Sequence, residues 1–177
     1  AVGHDRLLTQ QLLDRIGFSP FAVLQNHDLR RVDLAGANLR YADLTGANLE
    51  GANLTGANLR RAIINQVKAE DSHWRRAYLD GASLIGADLT KADLRQVHAF
   101  RTDLSDTKLK DADASAASLS HANLAGSLIS GLRLDDAYLR FTENLEQSQL
   151  SSACGNAKTR LPEGLSIRHC GKRLQHN

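Results

Sequence analysis

The feature that most constrains this chain is a five-residue period. Every fifth position from Leu29 to Leu139 is apolar, giving 23 consecutive units without a slip of register. The series runs Leu29, Leu34, Leu39, Leu44 and so on, with Ile64, Ala69, Trp74, Ala99, Ala114 and Ile129 among its few variants. Two residues before each of these, from Val32 to Ala137, stands a second small or apolar residue, mostly Ala. No charged residue enters either series. Two inward positions separated by one outward position is the local alternation of a strand. A continuing strand would turn inward again two residues later, whereas here the gap is three. A helical face recurs at an average of 3.6, so a strict period of five drifts around a helix. The chain must bend once per unit and coil, with each turn stacked on the last.

The residues at the bends agree. Eight of the thirteen Gly lie two positions after the central apolar residue, for example Gly36, Gly46, Gly81 and Gly126. Gly at a fixed corner suits a turn with positive φ. Asp or Asn precedes the central residue in twelve units, among them Asn38, Asp43, Asn48, Asp88 and Asn123. Such side chains bond nearby backbone donors and hold short turns. Both prolines, Pro20 and Pro162, lie outside the repeats, where no ladder N–H is required of them.

Units such as Ala42-Asp43-Leu44-Thr45-Gly46 and Ala52-Asn53-Leu54-Thr55-Gly56 resemble the A(D/N)LxG unit of the pentapeptide-repeat family over roughly two thirds of the chain. The resemblance implies an all-β solenoid, a right-handed quadrilateral β-helix with four units per coil. Residues 1–28 are then a helical cap and lead-in, 29–143 the β-helix, and 144–177 an irregular C-terminal cap. Within 5–16, Leu8, Leu12, Leu13 and Ile16 share one face of an amphipathic helix, with Gly17 as its stop. Ala22 and Leu24 form an extra, half-regular unit. In the irregular patch from Ile63 to Tyr78, Trp74 is expected to point inward, its volume offset by the small Ala69 in the same layer. Beyond Leu139 the register breaks. Asn144 stands where an apolar centre is due, and Leu145 and Leu150 follow one residue late.

The only cysteines, Cys154 and Cys170, lie in this last stretch. A small cap with little core is where a disulfide helps most. Closing a loop of that length contributes on the order of 3 kcal/mol in the chain-entropy picture. The alternative is two free thiols in a reducing cytosol. The C…TRLPEG…C tail is similar to that of exported members of the family, which implies the periplasm or thylakoid lumen, with the cytoplasm as the alternative. Ala1 is not an initiator Met, as expected of a processed or trimmed form.

Nothing in the sequence carries catalysis. Seven scattered His form no ligand spacing. The Asp residues occupy repeat positions, and the glycines never lead a strand into a helix as a phosphate loop requires. No catalytic, cofactor-binding or metal residue is expected, and no cofactor. There is no apolar run of the ~18–20 residues a membrane span needs. A net charge of +2 gives no steering argument for nucleic acid.

If the 20-residue coil holds, residues twenty apart stack into columns. One side, flanking Leu39, Leu59, Leu79, Ala99, Leu119 and Leu139, then collects Arg40, Tyr41, Arg60, Arg61, Tyr78, His98, Phe100, Arg101, His121, Tyr138, Arg140 and Phe141, with Asp80 its only acid. Arginine with aromatic rings is the composition of recognition surfaces. It also fits a simpler role, in which the guanidinium groups merely cover exposed rings. The other sides are mixed or mildly acidic. Asp103 and Asp106 mark one of them, with Ile63 and Ile85 exposed there. The expected function is a non-enzymatic scaffold that presents this face to a protein partner, as a monomer or weak oligomer. The alternatives are a gyrase-binding DNA mimic like the quinolone-resistance members, which needs an acidic face and a dimerising C-terminal end, and a polyanion or nucleic-acid binder.

Overall fold

The computed structural model describes residues 20–171. The helix expected over 5–16 lies outside the described residues. From Pro20 onward the backbone repeats one pattern, a bridge residue between tight turns, every five residues. Parallel bridges join residues twenty apart, from Val23 with Asp43 through to Asn123 with Glu143. Four five-residue units therefore complete one coil, and the solenoid has four sides. The extra unit expected at Ala22 and Leu24 is present, with both side chains buried. At about 4.8 Å per layer, the six steps between Val23 and Glu143 make a shaft roughly 29 Å long.

The coil closes because nearly every backbone N–H finds an acceptor, as a buried chain requires. In the unit at 42–46, Ala42 N–H donates to Leu39 O at 3.1 Å across the turn. Asp43 N–H donates back one coil to Ala22 O at 2.9 Å, and Leu44 N–H donates forward to Ile63 O at 2.7 Å. Gly46 N–H donates forward to Asn65 O at 2.9 Å. Only the Thr45 N–H lacks a backbone acceptor, and the Asp43 carboxylate takes it at 3.0 Å. The same bond recurs at Asn48, Asn53, Asp88, Asp93, Asp103, Asp113 and Asn123. The Asp/Asn preference thus has a definite cause: this side chain supplies the one acceptor the ladder lacks.

The inward series form one continuous core of Leu and Ala. Trp74 points inward and is fully buried. Ala69 makes room beside it, and Ser72 completes the layer. The indole Nε1–H donates to Ser72 Oγ at 2.6 Å, and that hydroxyl donates on to Ala69 O. A buried indole needs such an acceptor. Free space inside the shaft amounts to about 20 Å³ among leucines such as Leu84, Leu104 and Leu124, so the interior has no room for a ligand.

After Glu143 the register slips. Arg133 bridges Cys154, 21 residues on, and Tyr138 bridges Arg160, 22 on. A single helical turn, α1 (Gln147–Leu150), replaces one side, with Leu150 inside. Gln149 Nε2–H donates to Leu124 O and Ser127 O at 3.0 Å. Leu161, Leu165 and Ile167 pack partly buried against the core. Gly155 N–H donates to Arg168 O, and Cys170 N–H to Gly155 O. A Cβ at Gly155 would lie 2.5 Å from Thr159 Oγ1 and 3.3 Å from Ile167 Cγ2, so this approach requires glycine. Cys154 and Cys170 are joined by a disulfide.

Candidate interaction face

Each side of the shaft is identified here by one of its central leucines. The Leu39 side carries three outward columns. The first, just before each centre, contains Asn38, Asn58, Tyr78, His98, Ser118 and Tyr138. The second, just after it, contains Arg40, Arg60, Asp80, Phe100, Ser120 and Arg140. The third, at the corner, contains Phe21, Tyr41, Arg61, Gly81, Arg101, His121 and Phe141. Layer spacing near 4.8 Å is close to ring-stacking distance, so neighbours within a column can stack.

They do. Phe21 and Tyr41 stack with centroids 5.0 Å apart and planes 7° from parallel. Tyr78 and His98 stack at 4.9 Å. His121 lies 5.3 Å from Phe141, nearly parallel, and meets Phe100 edge-on at 5.5 Å. Guanidinium groups cover the rings: Arg60 over Tyr78 at 4.2 Å, Arg101 by Phe100 at 5.1 Å, and Arg40 and Arg61 by Tyr41 at 5.5 and 6.0 Å. Tyr138 and Arg140 share the face but, among the described residues, stack on none of its rings. The structure thus brings together most of the expected set. It adds Phe21, missed because its unit would centre on Ser19, although the twenty-residue spacing to Tyr41 was the available signal.

Asp80 is an acid with a structural task. Its unit has Tyr78, and the unit one coil on has His98, where Asp or Asn usually sits. The Phe100 N–H therefore lacks its usual acceptor, and Asp80 Oδ1, one layer back, accepts it at 3.1 Å. Its other oxygen pairs with Arg60 Nε at 2.9 Å. With Asp80 occupied in this way, Arg40, Arg61, Arg101 and Arg140 have no carboxylate partner among the described residues, and the first three lie against rings.

The corner column is also unusual in the side chains its backbone carries. Its residues adopt left-handed φ, as at Phe21 (73°), Tyr41 (58°), His121 (58°) and Phe141 (64°). That conformation costs an L-residue about 1–2 kcal/mol and suits Gly or Asn best. Other sides place Gly, Asn, Asp, Gln, Lys, Arg or Ala there; aromatic side chains occupy it only on the Leu39 side.

Electrostatics on the other sides follow another rule. Asp28 and Asp43 have their carboxyl pKa held below the ordinary value, by the Arg30 side-chain bond at Asp28 and the Thr45 hydroxyl bond at Asp43. At Asp88 and Asp93 burial works to raise the pKa, but the bonds from Thr90 and Lys108, and from Arg95, outweigh it and lower it. A cleft of about 430 Å³ lies between the last full coil and α1, lined by Gly126, Leu128, Asn144 and Gln149. The Gln149 amide there is already committed to the last coil. No group of three or more His, Cys, Asp or Glu that could hold a metal occurs among the described residues. No helix among them is long and apolar enough to cross a membrane.

A four-sided solenoid of five-residue units, with left-handed corners and with turns held by Asp and Asn, defines the class. The model of pentapeptide repeats matches in eight copies, over residues 28–66, 64–96, 100–140 and 117–154, and the chain belongs to the pentapeptide-repeat family. No curated protein matches the sequence. Among solved structures, the chain is similar to HetL, a pentapeptide repeat protein involved in heterocyst differentiation regulation from the cyanobacterium Nostoc sp. strain PCC 7120. The identity is 23% over 91% of this chain and 78% of HetL, with a TM-score of 0.45. A trypsin-treated form of QnrB1, a plasmid-mediated fluoroquinolone resistance protein, is 16% identical over 81% of this chain and 86% of its own, TM-score 0.38. A pentapeptide repeat protein from the Arabidopsis thaliana thylakoid lumen is 22% identical over 70% of each chain, TM-score 0.24. At these scores none of the three bears on function.

Proposed function

We propose that this chain is a non-enzymatic scaffold whose Leu39 side is a protein-binding face. The observation that carries the reading is that stacked rings and arginines lying against them occur together on this one side, with rings held at left-handed corners where Gly would relax the backbone. Stacking alone covers the rings only in part: Phe21 is 69% exposed and Phe141 59%. Rigid aromatics beside arginine are the anchors that dominate binding energy in interfaces. The coil's right-handedness follows the family. Residues 144–171 act as the cap of the last coil, a role supported by the Gln149 bonds and the disulfide. The disulfide and the tail support an oxidising compartment, periplasm or lumen. Intact mass under non-reducing conditions checks this, and two alkylatable thiols in the native protein would count against it.

The test of the face is partner capture from a periplasmic or lumenal extract. Tyr78→Ala with Arg101→Ala should abolish capture, whereas Lys68→Ala with Lys108→Ala, on the opposite side, should leave it intact. Equal loss from both pairs would remove the Leu39 side from consideration.

A further inference from the structure

The Leu44 side adjoins the Leu39 side at a corner and is its chemical opposite. Its outward residues include Asp43, Asp103, Asp106 and Glu143 and no Lys or Arg. The Leu39 side has five arginines against Asp80. The two sides thus carry about +4 and −4, while the chain as a whole is +2. Ion pairs do not cancel these charges. Of the five pairs among the described residues, four lie on the remaining two sides, and the fifth is Arg60 with Asp80. Apolar exposure follows the same division. Of the eight exposed large hydrophobics, Phe21, Phe100, Tyr138 and Phe141 are on the Leu39 side and Val23, Ile63 and Ile85 on the Leu44 side. Only Leu128 lies elsewhere.

We propose, building on the reading of the Leu39 side as a binding face, that its partner is a second copy of this chain. The Leu39 side of one copy packs against the Leu44 side of the next, with shafts parallel and layers in register. Register follows from the charges. Acids on the Leu44 side stand in the coils of Asp43, Asp103 with Asp106, and Glu143, and each of these coils also presents an arginine on the Leu39 side: Arg40, Arg101 and Arg140. Asp80 would meet the coil of Ser83 and Ile85, where no acid opposes it. An antiparallel arrangement would face Arg101 toward that same acid-free coil.

Adjacent sides of a square meet at about a right angle. Apposing one to the other turns each copy through a quarter circle, so this head-to-tail contact closes at four. A side about 10 Å wide, three extended residues, and ~29 Å long offers roughly 300 Å². That is well under the ~800 Å² per partner of a stable interface. A single contact is therefore weak, and ring closure, which engages both sides of every copy, is what holds the assembly. Long-range attraction between unlike sides is screened by salt.

Sedimentation of the full chain tests this at ~50 and ~500 mM salt. The expected result is a monomer–tetramer equilibrium at low salt that shifts to monomer at high salt. Arg101→Glu with Arg140→Glu, and separately Asp106→Lys with Glu143→Lys, should each weaken association at least about tenfold, through like-charge opposition. Circular dichroism confirms that both remain folded. A one-to-one mixture of the two variants should re-form tetramers, because each altered side again meets its opposite. A wild-type chain monomeric at all concentrations in low salt, an assembly closing at two, or a mixture that stays monomeric would each overturn the proposal. If partner capture still depends on Tyr78 and Arg101 while the chain remains monomeric, the binding face stands and only the identity of its partner falls.

Discussion

The Leu39 and Leu49 sides lie opposite each other on one shaft and are built from the same repeat, yet they hold their outward side chains by different means. On the Leu49 side, carboxylates hold cations, as Asp28 holds Arg30 at 2.6 Å and Asp88 holds Lys108 at 3.0 Å. On the Leu39 side rings hold cations and other rings. The first arrangement neutralises itself and leaves little for a partner. The second leaves positive charge and flat apolar area exposed together. The ladder accepts either because its own bonds run through the backbone and the Asp/Asn acceptor. Outward residues are thus free to vary, and a side that departs from the neutral pattern does so for a reason outside the shaft.

The largest expected effect tests what the two sides share. Trp74→Ala removes a fully buried ring from the core and should cost about 3–5 kcal/mol in chemical denaturation. Ser72→Ala should cost less, about 1–3 kcal/mol, by leaving the indole N–H without its acceptor. Both sides should lose order together. A variant in which one side kept its protection from hydrogen exchange while the other lost it would break the premise of a common shaft.

Much of this was legible in the sequence. The Leu and Ala series dictate the core, and stacking by twenty, which the family resemblance implies and the period alone does not, puts Tyr41, Tyr78, Phe100, Tyr138 and Phe141 on one side. The inward Trp74 followed from Ala69, but its Ser72 partner did not, since hydrogen-bond direction inside a layer has no periodic signature. Asp80 looked like an ordinary surface acid. Its backbone task depends on His98 standing, one coil on, where Asp or Asn would be. The chain after Glu143 was legible only as a break. Gln149, Thr159 and Gly155 find their partners through aperiodic contacts that spacing cannot announce.

Smaller effects come from exchanging corner residues between the two sides. Gly51, at the Leu49 corner, has φ 63°, and a Cβ there would sit 3.3 Å from Arg31 Cγ. Gly51→Tyr should cost about 1–2 kcal/mol from the left-handed backbone. Tyr41→Gly is the reverse exchange, two units earlier on the opposite side. It relieves that strain but gives up stacking on Phe21 worth about 0.5–1.5 kcal/mol, and loosens the unfolded chain. Its net effect should stay below about 1 kcal/mol by the same reckoning. If Gly51→Tyr proved neutral in thermal melts, the ring column would not be held against strain, and the backbone argument for a binding role would go.

The smallest effect separates the sides by pH. Asp88 has a folded-state pKa below its ordinary value, because the bonds from Thr90 and Lys108 outweigh its burial. A depressed carboxyl pKa contributes stability that is present above the unfolded value near 3.9 and is lost as pH falls through the folded one. Asp88→Asn should therefore lower stability modestly at neutral pH and flatten the acid limb below about pH 4, so that the two curves converge in acid. Tyr41→Ala, on the opposite side, removes no carboxylate and should leave the acid limb as it is. Added salt should weaken the Asp88–Lys108 contact, whose lysine end is exposed, more than ring stacking. Parallel acid limbs for wild type and Asp88→Asn, measured by denaturation between neutral pH and about pH 2, would mean the ion pairs contribute nothing. The contrast between the two sides would then rest on the rings alone.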